Sequence, residues 1–378
     1  MTTNDNSENR QTEVKLNLPE GVPALRAIYL YMTTGCNLCC KHCWITPTFV
    51  DGIPSAGDCI DLDLLRTTIR EAKTLGLKSV KLTGGEPMIH PQFREIAELL
   101  HNEELASDME TNGTCIDADI AQFIKEKTSI NFISVSLDSV VPASHDEFRG
   151  VKGAFDKAVT GIKNLVKVGY APQIIMCPHH GNINEIEEMA KFAISIGAGS
   201  LKFNPVTNAG RGSKMHDNGE ALDYDETMKL IRYVHGDFQK KVKIKLIIGT
   251  PLALLSVDNI LHGCGKGMCD VRHILGILGT NHMALCGVGR NIPELCYGEL
   301  GKDDLRETWI THPLLAEIRR KLDGDYPGIC ADCIHAYSCR TGCLAMNYMK
   351  DGELFAPSVL CEEADRRGEF PITRRRNP

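Results

Sequence analysis

Residues 28–47 read IYLYMTTGCNLCCKHCWITP. The first five, IYLYM (28–32), are a short run of aromatic and aliphatic residues and predict a strand. Directly after it comes Cys36-x3-Cys40-x2-Cys43, with Cys39 as an extra thiol. At this cysteine content chance supplies about 0.03 such triplets per chain. In α/β barrels the loops that follow strands open on the face where chemistry is done. Three thiolates from one loop fall short of the four ligands a structural zinc site wants. They suffice for three irons of a [4Fe-4S] cubane and leave the fourth iron open to another ligand.

Working outward from this loop, five more strand candidates follow: 79–83, 107–111, 132–137, 173–177 and 201–205. Between them the apolar spacing changes to that of helices. Phe93, Ile96, Ala97 and Leu100 share one helical face, as do Phe155, Ala158, Val159 and Ile162, and Ile186, Met189, Ala190 and Ala193. Gly197 stands where the last of these helices should stop. Six strand–helix units in series predict a parallel sheet with helices outside. A full eight-unit barrel takes roughly 250 residues, so the stretch 26–247 predicts an α/β fold of partial, TIM-like (β/α)6 type. Residues 1–25 read as an N-terminal tail. Residues 248–365 lose the strand–helix rhythm and are rich in Cys and Gly, as in a small domain organised by metal. Residues 366–378 are basic and read as a solvated tail.

The whole-chain composition narrows the setting. Among 378 residues, 49 Asp and Glu outnumber 42 Lys and Arg, giving a net charge of −7. That is the wrong sign for a protein that coats nucleic acid. No apolar run approaches a membrane span, and the polar start is not a secretory signal. The expected address is cytoplasmic. Sixteen cysteines are many for a reducing compartment, where grouped thiols serve metals more often than disulfides.

Cys-x3-Cys-x2-Cys after a first strand resembles the signature of radical S-adenosylmethionine (radical SAM) enzymes. LTGGEP (82–87), after the second strand, agrees with it: members of that family keep a Gly-Gly-Glu-Pro motif there that binds the amino group of SAM. The residue types suit that role. Gly84 and Gly85 allow close approach of backbone, Glu86 offers a charge-assisted acceptor, and Pro87 completes the motif. Taken alone, GGEP is also what a tight strand–helix turn would use. Weaker matches follow. The resemblance implies that Asn112 in ETNGT (110–114) and Ser136 in SVSLDS (134–139) lie at the SAM site. Arg149 in HDEFRG (145–150) would face a carboxylate or the ribose, or else cap the next helix. His42 stands where an aromatic residue is common, which implies a ring packed on adenine. His179 and His180 read as a solvated turn.

A second cysteine group is Cys330-x2-Cys333-x5-Cys339-x3-Cys343, followed by Cys361, with Cys264, Cys269 and Cys286 upstream. A lone zinc knuckle from Cys330, Cys333, Cys339 and Cys343 would leave the other four without a role; eight thiols make two four-cysteine clusters. The spacing resembles the SPASM domain appended to many radical SAM enzymes, except that Asn281 stands where the family has Gly. Asn is the next best residue for a left-handed turn. By this resemblance Cys264, Cys269, Cys286 and Cys343 hold the nearer auxiliary cluster, and Cys330, Cys333, Cys339 and Cys361 the farther one. Cys39, Cys59, Cys115, Cys177 and Cys296 are left over, most of them read as small buried apolar residues.

The resemblance implies three [4Fe-4S] clusters, one binding SAM and two auxiliary, an electron donor such as flavodoxin or ferredoxin, and no nucleic acid or membrane partner. Reductive cleavage of SAM to a 5′-deoxyadenosyl radical would start the reaction. Enzymes of this architecture usually modify a peptide. Known outcomes for the architecture include cross-linking and epimerisation; the opening CNLxCxHCW-I-x-P and GGEPMIHP look like maturases of nitrile-hydratase-leader or Nif11-type precursor peptides, some of which excise a tyramine unit to leave a β-amino acid. Only 25 residues precede the first strand, so a separate leader-binding protein would deliver the peptide, or none is needed. Relatives with a similar opening trim side chains of haem precursors, the alternative substrate class. Formylglycine formation on sulfatases is disfavoured because Gly287 stands where those enzymes carry an Asp. A structural zinc protein or electron carrier would leave GGEP unexplained. The catalytic acid or base is not legible.

Overall fold

The computed structural model describes residues 16–46, 48–50, 53–54, 57–265, 269–324 and 326–377. Pro47 of the opening motif and residues 1–15 of the expected N-terminal tail lie outside the described residues. The centre is a ten-stranded sheet. In chain order its strands are β1 (Ala27–Tyr31), β2 (Ser79–Thr83), β3 (Ala106–Thr111), β4 (Ile130–Ser136), β5 (Gln173–Met176), β6 (Ser200–Phe203), β7 (Lys245–Ile248), β8 (Ile274–Leu278), β9 (His282–Ala284) and β10 (Cys296–Glu299). Spatially they run β10-β9-β8-β1-β2-β3-β4-β5-β6-β7. β1 to β7 and β8 are parallel, and β8–β9–β10 form an antiparallel meander. All six expected strands are present and lie side by side in sequence order. Consecutive parallel neighbours need a crossover, and helices supply it: α1 (Leu62–Thr74), α2 (Phe93–Asn102), α3 (Ala118–Lys127), α4 (Pro142–Arg149), α5 (Ala154–Lys167) and α6 (Ile186–Ser195).

The faces the spacing predicts are the faces that pack. Phe93, Ile96, Ala97 and Leu100 of α2 are all buried, as are Ala158, Val159 and Ile162 of α5. Asp61 caps α1 by accepting from the backbone N–H of Asp63 and Leu64, and Asp117 caps α3. Asn281 sits at φ +63° at the turn between β8 and β9, the left-handed conformation expected of it.

Three segments differ from the sequence expectation. The boundary drawn at 247 cuts through β7, an unexpected seventh strand that extends the parallel series beyond six. β8, from the expected second domain, hydrogen-bonds to β1, so the sheet runs across both regions. The N-terminal tail ends well before residue 25: Leu25 is fully buried, and the Trp309 indole donates to the Pro23 carbonyl. The basic C-terminal segment is not a free solvated tail. Phe370 is buried, Arg375 pairs with Asp332 and Asp365, and Arg374 donates to the Leu255 carbonyl. Among the described residues no helix is long and apolar enough to cross a membrane.

Candidate active site

At the C-terminal ends of the parallel strands, three loops interlock. The loop after β1 carries Cys36, Cys40 and Cys43; Cys36 and Cys40 are buried and Cys43 partly so. The sulfurs meet N–H donors. The Leu38 backbone donates to Cys36 Sγ at 3.3 Å, Asn112 Nδ2 lies 3.8 Å from it, and Arg149 Nη1 approaches Cys40 Sγ at 3.6 Å. Burial, then the neighbouring Glu86 and Cys40, push the Cys36 thiol well above its ordinary range. Packing thiols together with donors aimed at sulfur suits thiolates neutralised by iron, so this loop fits a cluster.

The GGEP turn locks onto this loop through its glycines. A Cβ on Gly85 would lie 1.6 Å from the Gly35 carbonyl oxygen, so no side chain fits. Gly85 N–H donates to the Thr33 carbonyl and Glu86 N–H to that of Gly35, both at 3.0 Å. Gly85 is therefore spent on the cysteine loop rather than on room for an ammonium. Gly84 takes a φ of +129°, and Pro87 begins the short helical turn that Glu86 caps. The Glu86 carboxylate is buried. It accepts from Thr111 Oγ1 at 2.7 Å, Asn112 N–H at 2.8 Å and Met88 N–H at 3.2 Å. Burial pushes this carboxyl up to about 7, against those hydrogen bonds. A carboxylate offers about four acceptor positions, so one remains for a ligand cation.

Asn112 links all three loops, since its Nδ2 also donates to Asn37 Oδ1 at 2.7 Å. Asn37 in turn donates to Thr114 Oγ1. Thr111 lies in the TNG segment that the sequence offered, whereas Asn37 is legible only as the residue after the first cysteine. Ser136 ends β4, half-buried. Arg149 resolves to a carboxylate of the protein itself: its Nε pairs with buried Asp138 at 2.5 Å, and the guanidinium is turned away from any helix-capping role. Burial alone would raise the Asp138 carboxyl, but Arg149 outweighs it and holds it low. His42 packs on Phe148 at 4.5 Å and 6°, and Phe148 on His179 at 4.2 Å and 7°, so the His42 face expected for adenine is given to a phenyl ring. His179 is thus part of a ring stack and not a solvated turn, while His180 is exposed and pairs with Glu226.

The C-terminal thiols gather in two places. Cys330, Cys333, Cys339 and Cys361 line one cavity. Burial, then Cys339 and Cys333, push the Cys330 thiol up to about 12. Cys269, Cys286 and Cys343 act on one another: burial and then Cys343 push the Cys269 thiol up to about 11. Cys264 is half-buried; residues 266–268 lie outside the described residues. The five leftover cysteines are half-buried or exposed, not core residues. Cys39 is exposed and takes a 2.8 Å contact from Arg211. Gly287 packs against Tyr31, whose ring carbon would lie 2.2 Å from an added Cβ. No Asp fits there.

An open-sided cavity of about 720 Å³ lies against β1 to β6, lined by Tyr29, Lys81, Asp108, Glu110, Phe132, Ser134, Gln173 and Lys202 among others. Tyr29 bonds the Cys269 thiol, and Glu110 immediately precedes Thr111 and Asn112. A parallel strand buried on both faces reads as continuously apolar; Lys81, Asp108, Glu110 and Lys202 interrupt their strands and were the unread signal of this cavity.

Residues 30–193 match the model of the Radical SAM superfamily. Over 374 residues the chain is 27% identical to the AdoMet-dependent heme synthase of Nitratidesulfovibrio vulgaris, covering 93% of this chain and 95% of that one. It is 25% identical to the mycofactocin maturase MftC of Mycobacterium ulcerans, covering 87% and 86%. Its fold resembles Streptococcus suis SuiB bound to S-adenosylmethionine, with a TM-score of 0.69 and 17% identity over 92% of this chain and 79% of that one. The likeness to anSMEcpe with bound AdoMet is similar, with a TM-score of 0.69 and 18% identity over 92% and 93%.

Proposed function

We propose, from a chain that carries a radical SAM domain over residues 30–193, a radical SAM enzyme of SPASM type that modifies a ribosomally made precursor peptide. Cys36, Cys40 and Cys43 would hold the SAM-binding [4Fe-4S] cluster. Cys264, Cys269, Cys286 and Cys343 would hold one auxiliary cluster, and Cys330, Cys333, Cys339 and Cys361 the other. With SAM bound and one electron from an external donor, the first cluster would cleave the sulfonium to methionine and a 5′-deoxyadenosyl radical able to take a hydrogen atom from the substrate. The chain's own residues bind and orient. Glu86 and Asn112 receive the amino-acid end of SAM, Arg149 and Asn112 steady the thiolates, and the cavity beneath holds the substrate. The observation that supports this reading is that cavity: its Glu110 lies two residues before Asn112, and its Tyr29 stands beside Cys269. A substrate held there would lie between a site of hydrogen abstraction and thiols fit to hold an electron acceptor.

The 27% identity to a haem synthase over nearly the entire chain favours a second reading, in which a tetrapyrrole precursor fills the same cavity. The steric block at Gly287 argues against a sulfatase-type Asp. Anaerobically reconstituted protein should hold about 12 irons and form 5′-deoxyadenosine from SAM under reduction. Replacing Cys36, Cys40 and Cys43 together by Ala should remove all of that cleavage and roughly a third of the iron. Cleavage that survives the triple replacement rules the loop out. A mass change in a short peptide encoded beside the gene supports the maturase; one in a haem precursor supports the alternative.

A further inference from the structure

The cavity carries charge whose bookkeeping is incomplete. Lys81 and Glu110, on adjacent strands, form an ion pair at 2.5 Å, and Lys81 also stands over the Tyr29 ring. Asp108 lies beside that pair on β3 and belongs to its field. Lys202 is different. It projects into the cavity from β6. It is half-buried and has no hydrogen bond or ion pair among the described residues. The strands between it and the carboxylates, β4 and β5, present Phe132, Ser134 and Gln173 to the cavity, none of them charged. Ser134 and Gln173 are bonded to each other and Gln173 to Ser200, so they form a closed ladder. On the other side Lys202 pairs in register with Ile247, which offers no counter-ion.

Glu110, already paired with Lys81, reaches Lys202 only through its field, and burial outweighs that attraction, so the ammonium loses more solvation than it recovers. The arrangement persists at low cost only if an anion from outside completes it. We propose that Lys202 binds a carboxylate of the substrate, with Phe132 and Tyr29 receiving its apolar part. This rests on the reading of the cavity as the substrate site and names the chemistry of that substrate: a carboxylate on an apolar frame, from an acidic peptide or from a tetrapyrrole side chain. Burial lowers the lysine's affinity for its proton, and a bound carboxylate would restore it.

The probe is glutarate, compared with its uncharged dimethyl ester, titrated calorimetrically into the reconstituted holoenzyme. Glutarate should bind at least about tenfold more tightly than the ester. Lys202→Met should weaken glutarate about 10- to 150-fold, the loss of one charge-assisted hydrogen bond, and Lys202→Arg should recover most of it. Equal binding of glutarate and ester, no glutarate binding at all, or unchanged binding by a folded Lys202→Met protein each overturns the proposal. The comparison of glutarate with ester uses the unaltered chain, so it stands even if the Met variant fails to fold. Displacement of glutarate by a glutamate-rich hexapeptide points to a peptide source, and displacement by a porphyrin tetracarboxylate to a tetrapyrrole source. Glutarate binding in a holoenzyme that cleaves no SAM would sink the enzymatic reading and leave the carboxylate site standing.

Discussion

The two cysteine regions of this chain are held in place by different physics. The loop at 36–43 is fixed by protein. It hangs from β1, its Gly35 carbonyl is clamped by the GGEP turn, Cys39 and Lys41 N–H groups bond the carbonyls of Arg149 and Phe148, and Asn37 is tied to the TNG segment. The thiols at 330–361 sit on short pieces instead: Ile329–Asp332 and Ala336–Cys339 span one helical turn each. Arg340 and Thr341 nearby take positive φ, a conformation disfavoured for side chains of their kind. The first site is held by protein contacts. A cluster on the second would contribute folding energy, because metal binding to such short pieces is coupled to their structure.

The largest effect should come from taking iron away. Anaerobic chelation should strip hydrogen-exchange protection from residues 329–343 and from the helix Val359–Arg366, which packs on them through Cys361 and Ala364. Protection in β1 to β6 should survive. Uniform loss across both regions would mean that the sheet depends on iron as much as the cysteine-rich segment does.

The converse test strikes the protein-built loop. Gly85→Ala places a methyl inside the Gly35 carbonyl, and neither backbone can yield without breaking the bonds that hold both turns. Overpacking of this severity should cost about 3 kcal/mol, with SAM cleavage falling further than stability does, because the displaced loop carries all three thiols. Denaturant titration beside a cleavage assay separates the two. A stability loss under about 1 kcal/mol would mean the clamp is slack.

How much of this was readable beforehand depended on the range of the interaction. Strand order and helix faces follow from residues a few positions apart, and those readings survive. β7 is the exception: Lys243 and Lys245 alternate with Ile244 and Leu246 as in a half-buried strand, a signal in the sequence that the reading passed over. The seating of the C-terminal segment depends on Arg375 meeting Asp332, 43 residues away, and no local pattern announces that. The cysteine spacing pointed to the first loop and the motifs of the resemblance to the other two that meet at Glu86, yet neither showed that Arg149 would be claimed by Asp138, or His42 by Phe148. Both partners are ordinary residues whose importance is purely geometric.

Glu86→Gln probes the same preorganised site more gently. The amide keeps the shape but turns one acceptor into a donor that must face Asn112 N–H or the Thr111 and Met88 donors. SAM affinity should fall about 10- to 150-fold, as for a lost charge-assisted bond, with iron content unchanged. The pH dependence follows from the raised carboxyl. At its ordinary 4.5 in the unfolded chain and about 7 in the folded one, it contributes stability that is present below about 4.5 and lost as pH rises through about 7. SAM binding runs the other way: the ammonium prefers the ionised carboxylate, so affinity should climb toward pH 7 and level off above it. Glu86→Gln should flatten both slopes. A variant that loses thermal stability but keeps SAM affinity would make Glu86 a turn residue only.

The smallest expected effect lies at His180, and its smallness follows from its exposure. The ring bonds the Gly219 carbonyl through Nδ1 at 2.8 Å and the Glu226 carboxylate through Nε2 at 2.7 Å. Two acceptors require two N–H groups, so the charged ring is favoured and its pKa is raised, first by Glu226 and then by the Gly219 carbonyl. A raised histidine stabilises below its unfolded value, about 6.5, and that contribution is lost as pH rises through the folded value. Both partners are 43% exposed, so solvent screening leaves at most about 0.5 kcal/mol. His180→Gln should therefore lower the iron-free melting temperature slightly near pH 6 and not at all near pH 9. Salt at about 1 M should erase the difference, the Debye length there being about 3 Å. The loop it pins belongs to the protein-built side of the molecule, so the effect should be the same with and without iron. A His180→Gln difference that appears only in the iron-loaded protein would show that the loops after β5 and β6 depend on the cluster as well, and the division between the two regions would have to be redrawn.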